Sequence, residues 1–381
     1  MLVDFLKALF RRTDGASVHP LVRRQNLEPG FVAFLTPVDA PHLLTEGEIL
    51  ESDQASMRLR VGIPAAQLAL RFPVWLVPVD YVQQDPMLSR FGRARAVVLG
   101  KLPVRFFTQE RPRASALVKW IEAASPAQRI VVDFSDDLGA AAVVYSQPAL
   151  LDFQKRLLAA CHATVPTCAL RERLLAYANH GITVIEDPLE SPHAREPRLD
   201  IGPALRLAWF GVFAAEQRPF IETQLANIAR RLLSRPTELA FVTHETQSGL
   251  VQDMAKALTH INPQFLVRHV CWSLAATEEE LARADMVVIP QDASSDWGRV
   301  KSHNRLVKAI RAGRFVVASA IPAYVELSSY GWIGDDLATG IEWALENPEE
   351  ALHRVRVGQE YVNRRFAPER IGALWAQTLR L

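Results

Sequence analysis

The sequence predicts an α/β protein of two doubly wound domains, each a parallel sheet with helices on both faces. Short, nearly continuous apolar runs rich in β-branched residues alternate with stretches of helical period, as parallel strands buried on both sides require. The alternation breaks once, at 187–203 (DPLESPHAREPRLDIGP), where four prolines and mixed charge mark a linker. A chain of 381 residues, 49% of them hydrophobic, is long for one domain and ordinary for two.

Residues 2–12 (LVDFLKALFRR) place Leu2, Phe5, Leu6, Leu9 and Phe10 on one helical face, with Lys7, Arg11 and Arg12 near the other. Residues 1–29 are read as an amphipathic segment that packs on the protein or a partner, with peripheral contact to a membrane surface as the other reading. The first domain spans 30–190. Its strands are 31–36, 74–79, 96–100, 129–134, 163–166 and 183–187, and its helices 55–71, 111–124, 148–161 and 168–179. After a linker at 191–203 the alternation restarts in a second domain, 204–365. There the strands are 205–211, 238–244, 265–272, 285–290 and 315–320, and the helices 217–234, 248–259, 277–283 and 300–312. A helix over 349–366 follows, and residues 366–381 carry a last helix (368–379). A cleft between the domains is the expected ligand site, because open α/β sheets bind at the carboxyl ends of their strands.

Composition narrows the chemistry. With 43 Lys+Arg against 42 Asp+Glu, the net charge is +1 and the basic excess of a nucleic-acid binder is missing. The longest apolar runs are strand-sized, well short of the roughly 20 residues that cross a bilayer. Cys161, Cys168 and Cys271 form no C-x-x-C pair, which favours a reducing, cytoplasmic setting. No two of the 18 glycines stand two apart, so neither a dinucleotide fingerprint nor a glycine-rich phosphate loop is present. H-E-x-x-H, zinc spacing, G-x-S-x-G and Asp-x-Asp are absent as well. A nucleotide site in these domains would therefore hold phosphate by cationic side chains and helix N-termini, without a metal.

Such a site is legible at 294–327 (SSDWGRVKSHNRLVKAIRAGRFVVASAIPAYVEL). It follows the strand ending MVVIP, so Gly298, Lys301, Ser302, His303 and Asn304 fall in the loop and at the start of the next helix. Lys301 and Arg305, four apart, share a face if the helix begins at 300. Only seven lysines occur in the chain, and Lys301 and Lys308 both lie in this segment.

The string K-S-x-N-R-L (301–306), then A-x-x-A-G-R (309–314), then V-V-A-S-x-I-P-A-Y-x-E-L (316–327), resembles the nucleotide-sugar site of GT-B glycosyltransferases. The likeness is to the retaining group related to bacterial glycogen and sucrose synthases. SMRLRVGIPAAQLA (56–69), IVVDFSDDLG (130–139), ITVIEDPLE (182–190) and the closing helices are similar to parts of the same fold. The resemblance implies two Rossmann-like domains facing a cleft, with the last helix crossing back to the first domain. Two glutamates separated by seven residues are usual in the group; those positions are Val300 and Lys308 here.

The resemblance assigns Lys301 and Arg305 to the leaving diphosphate, and Gly211, His244, Gly298, Ser302, His303, Asn304, Lys308, Tyr324 and Glu326 to the donor. Lys308 would stand in for the missing glutamate or be a solvated lysine. Asp133, Asp136 and Asp137 end a buried strand: Asp136 is the candidate to act on an acceptor hydroxyl, and Asp133 and Asp137 to bind the acceptor, with turn and capping roles as the plain alternative. One of Arg58 and Arg60 would bind acceptor or phosphate. The expected activity is metal-independent transfer of a sugar from a UDP- or GDP-linked donor to a glycan, lipid or protein acceptor, with no cofactor. The alternatives are a non-catalytic GT-B-shaped binding or assembly subunit, and a nucleotide-sugar epimerase.

Overall fold

The computed structural model describes residues 18–20, 30–36, 49–50, 52, 54–78, 93–100, 111–125, 129–190, 194–213 and 215–381. The amphipathic stretch at 2–12 lies outside them. Two compact units divide the chain, Met1–Pro192 with Phe366–Leu381, and His193–Arg365.

The first unit holds a seven-stranded sheet: β1 (Val18–Pro20), β2 (Val32–Thr36), β3 (Val74–Pro78), β4 (Ala96–Leu99), β5 (Ile130–Asp133), β6 (His162–Val165) and β7 (Ile182–Val184). The spatial order is β1-β3-β2-β4-β5-β6-β7, and every pairing is parallel. β2, β4 and β5 are buried along their whole length, as expected of strands covered on both faces. The helix Arg111–Ala124 buries Ala114, Leu117, Val118 and Ile121, a single stripe at helical spacing. Residues 55–69 form one continuous helix whose middle, Arg58–Gly62, is a π-turn. The helix Pro368–Leu379 also belongs to this unit, and its Trp375 is fully buried, ring edge toward Phe34 at 5.9 Å.

The second unit holds β8 (Leu205–Phe210), β9 (Thr237–Thr243), β10 (Phe265–Cys271), β11 (Met286–Ile289), β12 (Phe315–Ala318) and β13 (Trp332–Ile333), in the order β10-β9-β8-β11-β12-β13. All are parallel. β9 and β10 extend the sheet on one side of β8, and β11 to β13 extend it on the other. The topological switch point therefore lies between β8 and β11, where ligands of such sheets bind. Trp209 stacks on Phe241 at 4.0 Å in the core beneath.

Several elements differ from expectation. The helix predicted at 277–283 begins at Leu274, because Ser273 caps it by accepting from the Ala276 N–H at 2.9 Å. The helix predicted at 300–312 is Asn304–Arg311, preceded by a separate turn of helix, Asp296–Arg299. Helices Leu138–Val144 and Leu337–Glu346 were not expected. Among the described residues no helix is long and apolar enough to cross a membrane.

Candidate functional site

The carboxyl ends of β8, β11 and β12 lie side by side and carry Gly211, Gln291 and Ser319. Gly211 has φ +148°, a backbone conformation open to glycine. Its position is fixed from both sides: its N–H donates to Val242 O at 3.1 Å, and its carbonyl accepts from Thr243 Oγ1 at 2.8 Å. Gln247 braces the next residues, accepting from the Phe213 N–H at 3.0 Å and donating to Phe213 O at 2.6 Å. A Cβ built on Gly211 would stand 3.2 Å from Arg305 Nη1, so the guanidinium lies directly over this glycine. Arg305 Nη2 in turn donates to Gln291 Oε1 at 2.6 Å. The structure thus brings Gly211 and Arg305 together at the switch point. It adds Gln291, which no motif singled out; its place just beyond the strand ending MVVIP was the one available signal.

Lys301 does not share a helical face with Arg305. Ser295 caps Asp296–Arg299 by accepting from the Gly298 N–H at 2.9 Å, and the chain leaves helical geometry over 300–302 before restarting at Asn304. Lys301 sits in that connection with its Nζ 4.1 Å from the Trp297 ring centroid, a cation–π contact. Gly298 has no room for a side chain, since its Cβ would fall 1.8 Å from Asp292 O. Ser302 is half-buried in the same connection, and Asn304 opens the helix. Lys308 is half-buried rather than freely solvated, with its Nζ 3.5 Å from Glu278 Oε1 in an ion pair to the neighbouring helix.

His303 is buried, with Nε2 3.3 Å from Glu326 Oε2. A carboxylate only accepts, so Nε2 is the protonated ring nitrogen. Arg365 Nη2 donates to the same oxygen, and Arg365 Nη1 to the Tyr361 hydroxyl at 2.9 Å. The hydrogen bond from His303, with that from Arg365, outweighs burial and lowers the Glu326 carboxyl to about 2. Tyr324 is fully buried, and among the described residues its hydroxyl has no hydrogen-bond partner. His244 is exposed and caps the turn Glu245–Gln247, accepting from the Thr246 N–H at 3.3 Å.

In the first unit the expected acceptor residues turn inward. Arg60 and Asp133 are 1% and 3% exposed. Arg60 Nη2 and Nε donate to the two Asp133 oxygens at 2.6 and 3.0 Å, and Nη1 donates to Asp187 Oδ1 at 3.3 Å. Thr164 Oγ1 donates to Asp133 Oδ1 at 2.7 Å, and the Trp375 ring lies 5.7 Å from the guanidinium. Burial alone would lower the Arg60 pKa, but Asp133 and Asp187 overcome it and raise the value. These groups satisfy one another's hydrogen bonding. Arg58 is buried as well, donating to Glu190 and to Ser52 O. Both arginines lie in the π-turn Arg58–Gly62, all five residues of which are buried. Asp137 caps Leu138–Val144, accepting from the Gly139 N–H at 2.8 Å, and is paired with Arg173. Asp136 lies half-buried in the bend after β5.

Among the described residues no group of His, Cys, Asp and Glu is placed to hold a metal ion. No family model matches the sequence, and no curated protein matches it. Solved structures do. HepE of Anabaena, in complex with UDP and glucose, aligns over 92% of this chain and 99% of its own, with TM-score 0.62 and 13% identity. WaaG, a glycosyltransferase involved in lipopolysaccharide biosynthesis, aligns over 90% and 99%, with TM-score 0.57 and 12% identity. The α,α-trehalose 6-phosphate synthase of Burkholderia multivorans aligns over 93% and 98%, with TM-score 0.60 and 9% identity. At these identities the likeness is one of fold, and the chain has the fold of the GT-B glycosyltransferases, two parallel doubly wound α/β units of Rossmann type.

Proposed function

We propose that the chain is a glycosyltransferase that binds a nucleoside diphosphate sugar, UDP- or GDP-linked, through its second unit and transfers the sugar to a glycan, lipid or protein acceptor. One observation carries the reading: Arg305 lies over Gly211 at the β8/β11 switch point, the place where a sheet of this topology takes its ligand. Departure of the diphosphate concentrates negative charge, and Arg305 and Lys301, with the amino end of Asn304–Arg311, would stabilise it without a metal. Retention of configuration needs no dedicated protein base. Of the aspartates that end β5, Asp136 is the one not buried, and it is assigned to the acceptor.

A non-catalytic role is the second reading, favoured by Val300 and Lys308: where the resembling enzymes carry two carboxylates, this chain has a buried aliphatic residue and a lysine paired with Glu278. Calorimetry with UDP and GDP, followed by assays of donor hydrolysis and transfer over a panel of UDP- and GDP-sugars, separates the two. Binding with turnover supports the transferase, and binding without turnover supports the second reading. Arg305→Ala is expected to weaken diphosphate binding about 10- to 100-fold, the loss of a charge-assisted hydrogen bond. Undiminished binding by that variant would remove the proposed site.

A further inference from the structure

Gln291 stands two residues past β11 and is 1% exposed. Its backbone N–H donates to Ser319 Oγ at 2.9 Å, which ties it to the carboxyl end of the adjacent β12. Its side-chain oxygen is taken by Arg305. Because a guanidinium only donates, the amide must present Oε1 to Arg305, and this fixes Nε2 at its other end. That NH2 group is buried, and among the described residues it has no hydrogen-bond partner. Burying an amide donor without a partner is costly, and a ligand acceptor at this position would remove the cost.

The surroundings say what kind of acceptor fits. The amide joins Nε2 to the oxygen that Arg305 holds, so Nε2 is a donor adjacent to the guanidinium that lies across Gly211. A neutral N–H next to a fixed positive charge suits a phosphate oxygen: it adds a donor without adding charge repulsion against Arg305. We propose that Gln291 is both a positioning and a ligand-binding residue, Oε1 holding Arg305 over Gly211 and Nε2 donating to a phosphate oxygen of the nucleoside diphosphate. The inference rests on the nucleotide-sugar reading above and names a residue which that reading did not include.

Two near-isosteric variants test it. Gln291→Met removes both hydrogen bonds, and Gln291→Glu keeps the bond to Arg305 but replaces the N–H with a charged acceptor. UDP and GDP affinities are measured by calorimetry, and melting temperatures in buffer without nucleotide. Gln291→Met is expected to lose about tenfold in affinity. Gln291→Glu is expected to lose about a hundredfold, since its carboxylate neutralises Arg305 and repels phosphate. It should also melt no lower than the native protein, because it forms an ion pair with Arg305. Falling affinity at sustained melting for Gln291→Glu places residue 291 against the phosphate through Arg305, and the tenfold loss for Gln291→Met at a native-like melting temperature reads the lost donor. Gln291→Glu carries the test if Gln291→Met does not fold. Affinity within about threefold of native for Gln291→Glu, or a marked fall in its melting temperature, overturns the inference while leaving the nucleotide reading intact. If the native protein binds neither UDP nor GDP, the nucleotide reading itself falls, and the inference with it.

Discussion

At Glu326 the hydrogen bonds from His303 and Arg365 hold the carboxyl at about 2, against an ordinary 4.5. A carboxyl whose folded value lies below its unfolded one adds stability above the unfolded value and loses it as pH falls toward the folded one. Glu326→Gln is therefore expected to be less stable than the native chain at neutral pH by about 1 kcal/mol, a figure discounted because the side chain is partly solvated. The gap should hold down to pH 4.5 and close as the pH approaches 2. Urea unfolding of both proteins over that range checks it, and a gap that stays constant at low pH would refute the assignment. The residues of the candidate site were unevenly legible. Arg305 and Gly211 could be placed at strand and helix ends from sequence. Gln291 could not, because a single glutamine belongs to no motif and acquires its role only from the amide's position beside Arg305. The burial of Arg60 and Asp133 was not legible either, because a mutually satisfied ion pair and a ligand-facing one have the same residue types.

Elements with a sharp polar and apolar period were the most legible. The helices at 111–124 and 368–379 run over the residues that the pattern marked. Leu138–Val144 (LGAAAVV) is not legible by periodicity because it has no polar face to set a period. Leu337–Glu346 contains Gly340, a residue disfavoured in helices, which is required here because a Cβ would fall 2.3 Å from Trp332 Cδ1. The separate turn Asp296–Arg299, started by the cap at Ser295 and ended at Val300, leaves a break before Asn304 that periodicity does not register. The other end of Asn304–Arg311 supports a prediction. Gly313, at φ +73°, lets the segment after residue 193 dock: Arg195 N–H donates to Arg311 O and Arg198 N–H to Gly313 O, each at 3.1 Å. Gln359 Nε2 adds a bond to Arg195 O at 2.6 Å. A Cβ on Gly313 would lie 2.5 Å from Glu196 O. Gly313→Ala should cost about 2 kcal/mol, from the left-handed backbone and the forced displacement together. Amide exchange at Arg195 and Arg198 should rise more than at β12, and equal protection in native and variant chains would contradict the docking.

Over the whole molecule the first unit is discontinuous in sequence, since Phe366–Leu381 returns to it after the second unit has been built. Its core depends on that return. Ile371, Trp375 and Leu379 are at most 1% exposed and belong to the same cluster as Phe34, Val98 and Val131. The helix approaches so closely that a Cβ on Gly372 would lie 2.5 Å from Gln67 Cβ. Trp375 also forms the wall beside the Arg60 guanidinium, so its loss opens the buried ion cluster to water as well as leaving a cavity. Trp375→Ala is accordingly expected to destabilise the first unit by about 3–5 kcal/mol. The second unit closes its own core around Trp209, Phe213, Phe241, Phe265 and Phe315 with residues between 193 and 365, and none of these is supplied by the last helix. A chain ending at Arg365 should therefore lose amide protection in β2, β4 and β5 while β8, β9, β11 and β12 remain protected, and UDP binding through Arg305 and Gln291 should survive. Hydrogen exchange resolved by peptide distinguishes the outcomes. Loss of protection in both sheets on truncation would mean that the second unit does not sustain its core alone, despite containing every residue of it.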